Sequence, residues 1–200
     1  MKISEAEYRR RNWYATQLAH DFQLWDVWAV PLDAKGGARN TFDDFLTFFE
    51  EMGPELESSR TPTGLLFRLR AVLGRFAGWD EHVNVLPIPG SSDTSLSDRM
   101  APEERKHLRV VPAADYAAFV QVYKRESDAL YEISNDTCHA ALHLAWVPGE
   151  QRGWDAQIAV YVLPRGLKGR LYLALILPFR HLVVYPAMLR AIQQGWNKRR

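Results

Sequence analysis

The stretch that most constrains the fold is Gly169 to Trp196, GRLYLALILPFRHLVVYPAMLRAIQQGW. Its first part, Leu171 to Leu177, is an unbroken apolar run, and the run predicts a strand buried on both faces. Pro178 and Pro186 bracket a basic corner at Arg180 and His181. Beyond it Leu182, Tyr185, Leu189, Ile192 and Trp196 recur at spacings of 3 and 4, which predicts an amphipathic helix. Pro186 must sit in or before its first turn, where its missing donor breaks no bond. A strand that feeds a helix across a sheet suggests a fold built to enclose something apolar.

Upstream, Glu5 to Ala19 is polar with scattered aromatics and reads as a frayed or locally helical arm, residues 1–19, before a single domain over 20–196. DFQLWDVWAVPL, Asp21 to Leu32, is rich in Trp and Val and predicts a first strand. Thr41 caps a helix to about Met52, with Phe42, Phe45, Leu46, Phe49 and Met52 on one face and Gly53-Pro54 as its stop. A second helix is expected from about Thr63 to Ala77, on Leu65, Leu66, Leu69, Val72, Leu73 and Phe76. Asp80 to Pro112 holds four prolines and reads as a long loop with a helical turn near Pro102 to Lys106, a candidate lid. Phe119 to Tyr123, Ala129 to Ser134, Thr137 to Val147, Ala156 to Leu163 and Leu171 to Leu177 read as strands joined by short turns, hence an antiparallel meander. The class is α+β, with two helices after the first strand.

Charge and motifs exclude several functions. A net charge of +1 is not the positive excess a nucleic-acid binder needs. Cys138 is the single cysteine, so no intramolecular disulfide forms. With no apolar leader at the start, the expected location is the cytoplasm. Leu171 to Leu189 is the one candidate membrane span, but Arg180 at its centre costs about 2.5–3.5 kcal/mol on insertion scales, so no transmembrane segment is expected. No G-x-S-x-G elbow, Walker A, G-x-G-x-x-G or Cys-x-x-Cys is present, and no cofactor is expected.

The pieces FQLWDVWAVPL, LLFRLRAVLGRFAGW, LSDRM, YKRESDALYEISND and GRLYLALILPFRHLVVYPAMLR together resemble a bacterial domain-of-unknown-function family, number 2867, within the START-like (SRPBCC, helix-grip) superfamily. The resemblance covers most of residues 20 to 196, and LPFRHLVVYPAMLR is its most specific part. It implies a curved antiparallel sheet around a long C-terminal helix, with an apolar cavity between them. Some relatives carry a short-chain NAD-binding domain, which this chain lacks. The family supplies no catalytic residues to carry over.

The candidate site residues follow from position. His139 and His143 lie on one face of a strand about 13 Å apart, too far to share an ion, so no metal site is expected. Alternation turns Cys138, Ala140, Leu142, Leu144 and Trp146 inward and the histidines outward. Leu142, Trp146, Ile158, Tyr161 and Met188 are the expected lining of a cavity for a small hydrophobic or amphipathic molecule. Plain core packing is the competing reading for each. Tyr131 and Tyr172 could also offer a hydroxyl. Asp26, between Trp25 and Trp28, is either a desolvated proton acceptor or a hydrogen-bonded strand residue. Arg180 and His181 either meet a ligand carboxylate or phosphate or serve only the corner. Two other functions stay open: a cyclase- or dehydratase-like enzyme using Asp26, Tyr161 or His181, and a protein-interaction module with a filled core. Oligomeric state is open.

Overall fold

A computed structural model of the chain describes residues 1–32, 41–57, 82–88, 91–105, 119–149 and 153–199. The second expected helix, over 63–77, and the 33–40 loop lie outside these residues. Five strands form one antiparallel sheet: β1 Gln23–Leu32, β2 Val120–Lys124, β3 Asp128–Ser134, β4 Cys138–Pro148 and β5 Trp154–Pro164. Their order is β1-β5-β4-β3-β2. The last four are four of the five strands expected in the meander, and β1 closes the sheet against β5, with Trp28 opposite Ile158. Helices are α1 Glu5–Arg9, α2 Tyr14–Leu18, α3 Phe42–Glu57, α4 Pro102–Arg105, α5 Gly166–Phe179 and α6 Tyr185–Lys198. A 3-10 turn spans Leu96–Arg99. The molecule is therefore mixed α+β, with an antiparallel sheet and a long C-terminal helix.

That C-terminal helix corrects the first expectation. Leu171 to Leu177 is helix, and α5 and α6 are joined without a break by a π turn over Arg180–Val184. An apolar run does not by itself separate strand from buried helix. This one holds a single β-branched residue, Ile176, among leucines and Ala174, a composition that favours helix. The π turn sits between the two prolines, and the Tyr185 amide reaches back five residues to the Arg180 carbonyl. Such a widened turn lets a helix take up interruptions of its hydrogen-bond ladder. Pro186 falls in the first turn of α6, as expected. A second correction concerns α3, which runs through Gly53 and Pro54 to Glu57. Its apolar face is anchored by Phe42, Phe45, Leu46 and Met52, and that packing tolerates the one donor Pro54 lacks.

Both faces of the sheet are covered. On one face α3 and α6 meet Val30, Leu144, Trp146, Ala156 and Ile158. The ring of Trp146 stacks on Phe45 and on Trp154, and meets Trp196 edge-on. On the other face α1, α2 and the 3-10 turn cover Val27, Ala29, Leu130, Ala141, Ala159 and Tyr161. Small residues there let the two short helices approach closely. The N-terminal segment is thus an ordered part of the core, with Tyr8 and Ala15 fully buried. It also pairs with the free edge of β1, through Ile3 N–H to the Val27 carbonyl and Ala29 N–H to the Met1 carbonyl, which blunts an exposed edge.

This second cover overturns the outward placement of the histidines: His139 and His143 are fully buried. Alternation identifies which side chains share a face; it does not reveal that both faces are packed. Each imidazole is satisfied at both nitrogens. His143 Nδ1 accepts from the Tyr8 hydroxyl at 2.7 Å and its Nε2–H donates to Asp128 at 3.1 Å. Burial pushes the His143 pKa down despite Asp128, so the imidazole is neutral. Asp128 also accepts from the Tyr123 hydroxyl, which in turn accepts from the Ala15 amide. Tyr161 donates to Tyr8 and contacts Thr16 Oγ1 at 3.0 Å. This chain of bonds fastens α1 and α2 to the sheet. At the other end of β4, His139 lies 2.9 Å from Glu132 and 3.1 Å from Asp93. Burial pushes the Asp93 carboxyl up, but Arg165 and the Ser91 hydroxyl outweigh it and hold the group at about 2. Arg165 also donates to the Asn135 carbonyl and Ser134, so the start of α5 is tied to the β3–β4 turn.

Candidate functional site

The site is built where β1 passes beneath the π turn. The pairing of β1 with β5 shifts register between Leu24 and Asp26, a bulge at Trp25. A bulge re-aims side chains next to it. Asp26 and Trp28 then lie on the helix-covered face. Asp26 is 1% exposed, and neither carboxylate oxygen has a hydrogen bond among the described residues. A buried carboxylate in that condition is costly. The nearest groups that can donate to it come from the π turn: His181 Nε2 at 3.3 Å and an Arg180 amino nitrogen at 3.9 Å. Both are contacts without hydrogen-bond alignment. They stand between Asp26 and solvent, with side chains 27% and 15% exposed.

Aromatic rings complete the surroundings. The Arg180 guanidinium lies 5.5 Å from the Trp25 ring and 5.2 Å from Tyr185, and it donates to the Tyr185 hydroxyl. Burial pushes the Tyr185 hydroxyl pKa up, against Arg180 and together with the Asp26 charge, so the phenol stays protonated. Trp28 packs 5.2 Å from Tyr185 and 6.4 Å from His181. Arg180 and His181 are brought to this point by the five-residue reach of the π turn. Widened turns of this kind are frequent at functional sites.

Beside this cluster runs an open groove of about 460 Å³, lined by Gln23, Trp25, Pro164, Arg170, Leu173, Ala174 and Leu177. Trp25 belongs to both: its ring lies 5.5 Å from the Arg180 guanidinium, while Asp26, Arg180 and His181 do not themselves line the groove. Gly169 sets the depth. A Cβ there would lie 2.1 Å from the Thr137 carbonyl oxygen, so only glycine lets α5 come down onto the start of β4.

Asp26, Arg180 and His181, three of the side chains singled out from sequence, therefore meet at one point. The expected cavity lining is placed otherwise. Leu142, Trp146, Ile158 and Met188 share one packed cluster with α3 and α6, and none of them lines the groove. Tyr161 is on the opposite face, bonded to Tyr8. Tyr131 is bonded to Gln121 and Glu50, and burial raises its hydroxyl to about 12. Tyr172 is buried beside Cys138 and Val162. Sequence reasoning passed over Trp25 and Arg170 as site residues; the local signal was a Trp-Asp-Val-Trp run in one strand. Among the described residues no group of three or more His, Cys, Asp or Glu is placed to hold a metal ion.

Fold and cluster define an α+β protein with an antiparallel sheet, a π-widened C-terminal helix over one face, and a buried carboxylate between them. The chain belongs to the family described as protein of unknown function (DUF2867), whose model matches residues 18–187. That span includes Asp26, Trp25, Arg180, His181 and Tyr185. Comparison with curated proteins and with solved structures finds no match for the chain.

Proposed function

We propose that the protein is a START-like, helix-grip domain that binds a small hydrophobic or amphipathic molecule between its sheet and its C-terminal helix. The apolar body lies in the groove against Trp25, Leu173 and Leu177, and the polar end meets Arg180 and His181. The observation that carries this reading is the buried Asp26 carboxylate, close to Arg180, His181 and Tyr185 without a well-aligned hydrogen bond to Arg180 or His181. A buried acceptor without an aligned donor is matched by a ligand donor, or by Arg180 and His181 once a ligand's polar group aligns them. The volume is in the range of small-molecule sites.

Native mass spectrometry of the purified protein, with extraction of whatever it carries, tests the reading. A discrete added mass that denaturation removes is expected, and Trp25→Ala is expected to lower its occupancy about tenfold, as loss of a central aromatic contact does. A ligand retained equally by Trp25→Ala places it elsewhere. Bare protein that also shows no thermal shift with a panel of fatty acids and polyketides sinks the proposal.

A second reading rests on one distance, 3.3 Å between Asp26 Oδ1 and His181 Nε2. A carboxylate hydrogen-bonded to one ring nitrogen fixes the tautomer and leaves the other nitrogen as a proton acceptor, a role Asp26 takes if the contact aligns when a substrate binds. An acid–base enzyme on the same site predicts turnover that falls at least about a hundredfold in His181→Gln, with ligand affinity retained.

A further inference from the structure

Among the described residues nothing covers the outer face of α5, which is apolar. Leu167, Leu171, Leu175 and Leu182 are 73%, 63%, 73% and 77% exposed. Counting about 100° per residue, the first three fall within about 80° of one another. Gly169, Tyr172 and Leu173, the buried residues of the same helix, lie on the opposite side. A helix apolar all round is normally enclosed on all sides. Among the described residues this one is enclosed on one side only. Taken as a continuous helix of 33 residues, 166–198, its most apolar window has a mean hydropathy of 1.5 and is just 22% buried. Spanning is not the use of that hydropathy, because the inner face is packed on the sheet through Tyr172, Leu173 and Ile176, and Arg180 and His181 are turned toward Asp26.

Charge says what covers the ridge. Residues 156–200 contain eight Lys and Arg and no Asp or Glu, in a chain whose net charge is +1; Arg165, Arg180 and Arg199 among them pair with Asp93, Asp26 and Glu51, so the charge beside the ridge is that of Lys168 and Arg170. Lys168 and Arg170 are exposed and flank the leucine stripe, one on each side. An apolar stripe edged by cations is the pattern of a helix lying in a membrane interface, its leucines among the acyl chains and its cations at the headgroups. A stripe of four leucines on a nucleic acid would have nothing to bury against, so an anionic lipid surface is the partner with matching chemistry on both counts.

We infer that the Leu167–Leu171–Leu175–Leu182 ridge docks the protein in the plane of an anionic membrane surface. From Leu167 to Leu182 the ridge is about 22 Å long, enough for several lipid headgroups. Arg170 and Ala174 line the groove and adjoin the ridge, so docking brings the mouth of the groove to headgroup level, where an amphipathic ligand partitions. The docking itself does not depend on the groove being occupied.

The test is co-sedimentation of the full chain with phosphatidylcholine vesicles and with vesicles in which about a third of the lipid is phosphatidylglycerol. Preferential binding to the anionic vesicles by about tenfold or more is expected, falling as salt is raised. Leu171→Glu/Leu175→Glu abolishes it and leaves the thermal melt unchanged, because both side chains are already in water. Lys168→Glu/Arg170→Glu removes the preference for anionic lipid. No sedimentation with either vesicle overturns the inference, as does equal sedimentation of the Glu variant. A wild-type dimer in solution that the Glu variant dissociates, with no vesicle binding, assigns the ridge to a second copy and overturns it too. Trp25→Ala, which weakens the groove, binds vesicles like wild type, so a failure of ligand binding is read separately.

Discussion

Tyr8→Phe removes a single oxygen from the fully buried chain that joins α1 to the sheet. That oxygen donates to His143 Nδ1 at 2.7 Å and accepts from Tyr161 at 3.1 Å. Phe keeps the ring and its packing against Trp13 and His143. Tyr161 retains Thr16 as a partner, so the orphan left behind is His143 Nδ1. One unsatisfied buried acceptor costs about 1–3 kcal/mol. For a chain of this length about 2 kcal/mol lowers Tm by about 4–8 °C. Urea unfolding at neutral pH, followed by tryptophan fluorescence, measures it, with the m value unchanged. Acid adds a second signature. Burial holds His143 below its ordinary 6.5, so on acidification the unfolded chain takes up that proton first. Its contribution is complete above the unfolded value and declines as pH falls below it, by up to about 1.4 kcal/mol per pH unit. Asp128 works the same way lower down. Burial pushes its carboxyl up, but hydrogen bonds from His143 and Tyr123 outweigh it and hold it below 3.8, so its stabilisation is lost as pH falls through its folded value. Tyr8→Phe within about 0.5 kcal/mol of wild type, or stability flat between pH 7 and 5, would refute the sealed network.

Further outcomes follow from the same geometry. Gly169→Ala forces α5 away from the Thr137 carbonyl, 2.1 Å from the new Cβ, and is expected to cost about 1–3 kcal/mol in a chemical-denaturation curve; a neutral result places the helix farther from β4. Trp146→Ala opens a hole among Phe45, Trp154 and Trp196 and is expected to cost about 3–5 kcal/mol, whereas loss of ligand with stability intact would mark Trp146 as cavity wall instead. Arg165→Met leaves Asp93, which His139 also contacts, without its cation; the expected result is early hydrogen exchange across the β3–β4 turn, and unchanged protection there would remove Arg165 as the tie.

The five strands of the sheet are legible in the sequence, with Leu171 to Leu177 wrongly added to them, and so are three polar side chains of the candidate site, but not its groove, which none of Leu142, Trp146, Ile158, Tyr161 and Met188 lines. Four meander strands, the first strand and the start of α3 are written in short-range patterns: β-branched and aromatic runs, turn residues and a spacing of three and four. Those signals are local, and local structure follows them. Asp26 was conspicuous as a charge in a Trp-rich strand, and Arg180 and His181 as charges in an apolar run. Tertiary structure alone decided the rest. Leu171 to Leu177 is helix because a run without alternation carries no period, and leucine-rich composition together with the fit of Gly169 against Thr137 settles it. His139 and His143 are interior because the N-terminal helices and the 91–100 segment, remote in the chain, close over their face of the sheet. The meeting of residue 26 with residues 180 and 181 needs both the bulge at Trp25 and the widened turn. Neither leaves a mark on periodicity, since each is a local departure from the regular repeat that pattern reading assumes.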